Sequence, residues 1–215
     1  MLVTKRNTFA ALALVAVATL GLSACSMDAP EETPSSPVAE DPGMENDFTA
    51  DLVGTGCAAY AEAVPDGDGS IVGMAQDPVA VAASNNPLLT TLVAAVSGEL
   101  NPDVNLVDTL NGSEFTVFAP VDDAFAKLDA ATVEALSQPE NAELLSSILT
   151  YHVVPGQILP ADLTGDLTTV QGDTVTISGS GDMLKVNDSN VICGGVHTAN
   201  ATVYLIDTVL SLPEN

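Results

Sequence analysis

The chain has 215 residues, 47% of them hydrophobic, enough for one domain with its own core after processing. Aromatic residues make up 4% and tryptophan is absent, so the core must be built from Leu, Val, Ile and Ala. Four Lys and Arg stand against 29 Asp and Glu, a formal charge of −25 that repels phosphate backbones and anionic headgroups and so excludes nucleic-acid binding.

The chain opens on an export signal. Lys5-Arg6 is a short positive region, and Phe9 to Leu22 (FAALALVAVATLGL) runs apolar. That is about 14 residues, the length of a signal-peptide core and short of the ~20 that span a bilayer. The run ends in Leu22-Ser23-Ala24-Cys25. Small residues at 23 and 24 suit a narrow peptidase cleft, and Leu22 fills an apolar pocket. This resembles the lipobox of bacterial lipoproteins. Residues 1–24 are therefore expected to be a signal peptide, with Cys25 lipidated as the mature N-terminus. Two acyl chains on one Cys give durable anchoring, whereas one chain binds only marginally. After processing, Lys127 and Lys185 are the basic residues left against all the acids.

Residues 25–51 read as the lipidated Cys and a disordered tether. Pro30, Pro34, Pro37 and Pro42 interrupt an acidic stretch without a basic residue and with almost nothing to bury. Extended, it reaches up to ~85 Å, which holds the domain away from the membrane.

Residues 52–215 read as a single domain. Its first part is helical. Asn86 caps, Pro87 takes the first helical position, and Leu88, Leu89, Leu92, Val93, Val96 and Leu100 share one face. Asp129 can cap ATVEAL, and Leu144, Leu145, Ile148 and Leu149 keep helical spacing. Its second part is stranded. Thr174 to Ser178 alternates, and Met183 to Val186, Val191 to Cys193 and Thr202 to Leu210 follow at hairpin distances. Helices followed by strands predict an α+β domain.

With Cys25 taken by lipid, Cys57 and Cys193 remain as an even pair in an oxidising compartment, so a disulfide is expected. Two free thiols or a redox pair are weaker readings, because no C-x-x-C is present. His152 and His197 are too few for a zinc site once the cysteines are bonded. His152 reads as a hydrogen-bonded structural residue at a helix-to-strand join. Asp66-x-Asp68-x-Ser70 begins like a calcium loop, but Ile71 stands where the sharp turn requires Gly, so a solvated turn is preferred. No G-x-S-x-G, H-E-x-x-H or S-x-x-K occurs, and with 29 acids a pair of carboxylates carries no information.

Three segments carry a family resemblance. Phe115-Thr116-Val117-Phe118-Ala119-Pro120-Val121-Asp122-Asp123-Ala124-Phe125 resembles the first box of fasciclin (FAS1) domains, a strand that turns through Pro into a helix. Asp122 is expected to cap that helix. Tyr151-His152 is similar to the family's Tyr-His pair. Val203-Tyr204-Leu205-Ile206-Asp207-Thr208-Val209-Leu210 resembles the second box, with Val203, Leu205 and Asp207 alternating with Tyr204, Ile206 and Thr208 as in a central strand. The resemblance covers about residues 55 to 213. With the lipobox, Cys57 and Cys193, it extends to the secreted fasciclin lipoprotein antigens of mycobacteria and their actinobacterial relatives. Val121-Asp122 replaces the usual Thr-Asn, Ala201 and Tyr204 replace the usual Gly and His, and no Arg-Gly-Asp occurs.

The resemblance implies a FAS1 fold, with N-terminal helices packed on a C-terminal β wedge or sandwich. It implies a non-catalytic adhesion module, monomeric, with no catalytic residue, metal or cofactor. The module would be lipid-anchored at the cell membrane, facing the exterior, or shed, and would bind an extracellular protein, matrix or glycan. An envelope protein binding small molecules or glycans is the alternative. A docking patch is expected from the aromatics outside the boxes, Phe48 and Tyr60, with the helical face around Leu88 to Val96.

Overall fold

The computed structural model describes residues 48–213. The signal peptide, the lipobox with Cys25 and the tether up to residue 47 lie outside the described residues. Short helices come first: α1 (Cys57–Ala63), α2 (Ile71–Met74), α3 (Val79–Asn85), α4 (Thr90–Ser97) and α5 (Val107–Asn111). Strand β1 (Phe115–Pro120) follows, then α6 (Asp122–Phe125), α7 (Ala130–Leu136) and α8 (Ala142–Tyr151). The rest is stranded: β2 (Val153–Pro155), β3 (Gly165–Thr168), β4 (Thr174–Ser178), β5 (Lys185–Val186), β6 (Ser189–His197) and β7 (Ala201–Ile206).

The strands form one mixed sheet in the order β2-β1-β7-β6-β5-β4-β3. Strands β1 and β7 run parallel, Phe115 opposite Ala201 through Pro120 opposite Ile206, and every other pairing is antiparallel. Both are buried along their whole length, as strands covered on both faces must be. Alternate residues therefore feed two cores. Val117, Ala119, Val203 and Leu205 pack against the helices with Leu92, Leu145 and Leu149. Phe118, Tyr204 and Ile206 pack on the other face against Val175, Ile177 and Val186. Residues of β4 and β7 thus share one core although β4 lies far along the sheet, because the sheet folds over on itself. This is the α+β wedge expected from the sequence.

Strand β6 is irregular, with register shifts on either side of Cys193. Gly194 and Gly195 make that possible. A Cβ on Gly194 would overlap the Tyr204 ring, and one on Gly195, at φ +74°, would overlap the Asp51 carbonyl. The bared backbone receives the chain entering the domain: Val53 and Gly194 exchange hydrogen bonds of 3.0 and 2.7 Å, and Gly56 N donates to Ile192 O. Within the stretch assigned to the tether, the Phe48 ring lies tilted against that of His197 with centroids 6.1 Å apart, and Asp51 lies 3.0 Å from His197 Nε2. Disulfide Cys57–Cys193 closes the same seam, joining α1 to β6.

Two expectations are corrected. The helix predicted from Asn86 begins at Thr90. Asn86 instead ends α3, and its side chain accepts from Leu88 N at 2.9 Å, which holds Pro87 to Leu89 as a turn. Strand β7 ends at Ile206, so Asp207 lies beyond the alternation.

Candidate functional site

The boxes meet at the centre of the sheet. Phe118 and Tyr204 are Cα partners, their rings 5.9 Å apart. Thr116 Oγ1 donates to Gly156 O and accepts from Ile158 N, while Tyr204 OH donates to Ile158 O at 2.9 Å. Burial first, then the charges of Asp51 and Asp162, raises the Tyr204 pKa, so its phenol stays protonated. Ala119 and Pro120 end β1, and Phe125 closes α6 half-buried.

Asp122 was expected to cap its own helix. It does not: Val121 is the N-cap and α6 has no side-chain cap bond. The Asp122 carboxylate instead accepts from Thr91 N at 2.8 Å and Thr90 Oγ1 at 2.7 Å, capping α4. Burial alone would raise its pKa, but these bonds outweigh burial and hold it below the ordinary value. Asp122→Ala is expected to cost about 1–2 kcal/mol by removing a cap. Asp122→Asn, which keeps an acceptor, should cost less. Denaturant midpoints of the two variants read the difference.

Tyr151 and His152 sit where α8 runs into β2. Tyr151 OH donates to Thr174 O and accepts from Asn187 Nδ2. His152 is 3% exposed. Its Nδ1 lies 2.7 Å from Ile148 O, and its Nε2 accepts from Leu210 N at 2.9 Å. Nδ1 must carry the proton, since Nε2 is the acceptor. Burial drives the pKa down to about 4. The imidazole is neutral with both nitrogens committed, so it is positioned to hold the C-terminal segment rather than to exchange protons.

Asp207 follows β7 and accepts from Asn190 N, Asn190 Nδ2 and Thr208 Oγ1, with Lys127 Nζ at 3.5 Å. Burial opposes its ionisation, and these partners reverse the effect and lower its pKa. Box residues therefore build scaffold. Among the described residues no three of His, Cys, Asp and Glu gather to hold a metal ion. Ser70, in the calcium-like stretch, caps α2.

Two surface features were not anticipated. An apolar cleft of about 230 Å³ opens between α7, α8 and residues 209–212. A wider, more polar one of about 380 Å³ lies among residues 50–53, 160–164 and 179–181, with Asp51 in its wall. The expected docking patch is corrected. Tyr60 is 4% exposed and its OH donates to Gly69 O, and Leu89, Leu92 and Val96 are core. The spacing of Cys57 and Tyr60, one turn apart, could have placed Tyr60 on the buried face of α1.

A family profile described as the Fasciclin domain matches residues 87–213. The chain belongs to the fasciclin family. It is 55% identical over 211 residues to the cell surface glycolipoprotein MPB83 of Mycobacterium bovis, covering 95% of each chain. It is 62% identical over 163 residues to the immunogenic protein MPB70 of the same species, covering 76% of this chain and 83% of that one. The fasciclin fold is also that of a FAS1 domain pair from the insect cell adhesion molecule Fasciclin I, at a TM-score of 0.55 and 18% identity. That likeness covers 65% of this chain and about half (52%) of the domain pair. Among the described residues no helix is long and apolar enough to cross a membrane.

Proposed function

We propose that the chain is lipid-anchored through Cys25 at the cell surface, and that its fasciclin domain serves adhesion by binding a basic extracellular protein or matrix component, without catalysis. The observation that carries the reading is charge. Two lysines accompany 29 acids beyond the signal, and Lys127 is already paired with Asp207. Such a surface draws basic partners from a distance. Similarity to a protein named a cell surface glycolipoprotein supports the anchor. The polar cleft beside Asp51 is the proposed contact region, because Met183, 76% exposed, and Leu159 supply apolar surface on the segments that frame it.

Cys25→Ala tests the anchor. The variant should leave the membrane fraction for the medium or be retained unprocessed. In the wild type, mass spectrometry should find a diacylated Cys25 at the mature N-terminus. A wild-type N-terminus elsewhere, with the variant still in the membrane fraction, would refute lipidation.

A further inference from the structure

The apolar cleft between α7 and α8 is edged by the ends of the boxes, at Pro120, Phe125, His152, Val209 and Leu210, and lies apart from the polar cleft at Asp51. Half-buried Phe125, Leu128, Val133, Ile148, Val209 and Leu212 converge on it, and Leu144, 47% exposed, adds to its wall. These are the side chains a small domain would be expected to bury. The polar groups reaching the cleft are nearly all spoken for. The nitrogens of His152 are bonded to Ile148 and Leu210, and the Thr132 hydroxyl to Asp129.

We infer that this cleft takes one uncharged hydrocarbon chain, that of a neutral lipid from the surroundings. Size argues for a single chain. About 230 Å³ exceeds the ~150 Å³ that accepts a benzene, and falls below the roughly 300–1,000 Å³ of pockets that enclose a drug-sized ligand. Charge argues for a neutral one. No lining residue carries a charge, and Lys127, next to Leu128 in sequence, is held by Asp207 and Thr208. A carboxylate or phosphate headgroup would meet no cation there and would face a chain of formal charge −25. The C-terminal wall, Val209 to Leu212, lies outside regular structure and is tied to His152 by the Leu210 amide, so it can adjust to a chain without breaking the sheet.

The test uses the mature chain, residues 25–215 with Cys25→Ser, so that neither an acyl group nor the apolar run of the signal peptide competes. The protein has no tryptophan, so Leu144→Trp installs a lone reporter at the cleft. Titration with 1-monopalmitoylglycerol should give a saturable blue shift at one equivalent. Palmitate at pH 8 should bind at least about tenfold more weakly, because its charge must be desolvated without a partner. By calorimetry, Leu144→Asp on the Cys25→Ser chain should weaken the glyceride by a similar factor while leaving the melting temperature unchanged. Absent saturation, equal affinity for palmitate, or indifference to Leu144→Asp would overturn the assignment. Loss of glyceride binding only in the lipidated wild type would overturn it too, by giving the cleft to the chain's own acyl group.

Discussion

Replacing Cys57 and Cys193 by serine should remove up to about 5 kcal/mol of stability, the largest effect expected of any change in the domain. The disulfide closes a loop with a sequence separation of 136, and the chain-entropy relation gives that figure for so long a loop. The native state also gains two hydroxyls at nearly solvent-free positions, which adds a smaller cost to that of the lost crosslink. What loosens first is the seam. Residues 48–63 are held to β6 by the Val53–Gly194 pairing, the Gly56–Ile192 bond and the disulfide. Denaturation should therefore show a lower midpoint with a steeper slope, because the uncrosslinked denatured chain exposes more surface, and residues 48–63 should exchange amide protons fastest. Reduction of the wild type should reproduce the shift. A double-serine variant as stable as the oxidised wild type would contradict this.

Acid should unfold the domain in a window set by His152. Its pKa is about 4 in the fold against an ordinary 6.5, so the folded state binds the proton less readily than the unfolded chain. The stabilisation is fully present above pH 6.5 and is lost as pH falls through about 4. The difference is worth about 3 kcal/mol. Protonation removes the acceptor for the Leu210 amide and places a charge in the core. Asp122 and Asp207, whose pKa values are lowered below 3.8, lose their contributions only further down. Protonation of the other carboxylates relieves self-repulsion and acts in the opposite sense. His152→Gln separates the effects: less stable at pH 7, it should lack the fall between pH 6.5 and 4. A wild type whose stability is flat over that interval, matching the variant's slope, would refute the assignment.

The boxes and the local periodicities were readable. Alternation in TVTIS placed β4, and Asp129 caps α7 through Thr132 N as its position suggests. Edge strand β3, GDLT, was not, because one apolar residue among polar ones carries no period. The start of α4 was misplaced because its cap, Asp122, comes from the next layer and not from the preceding residue. The role of Asp122 was hidden for the same reason. Tyr60 was assigned to the surface by elimination, since no box claimed it, although its packing beside the disulfide buries it. The clefts depend on where α7, α8 and residues 50–53 and 209–212 pack, which no local pattern encodes.

The adhesion account is tested most directly by its kinetics. The Cys25→Ser chain would be passed over immobilised basic matrix proteins, with acidic matrix proteins as control, at about 50 to 500 mM salt. Steering by a surface with 29 acids predicts that the association rate falls at least about tenfold across that range while dissociation changes little. Binding that is equally fast at every ionic strength, or equal on the acidic control, would contradict it.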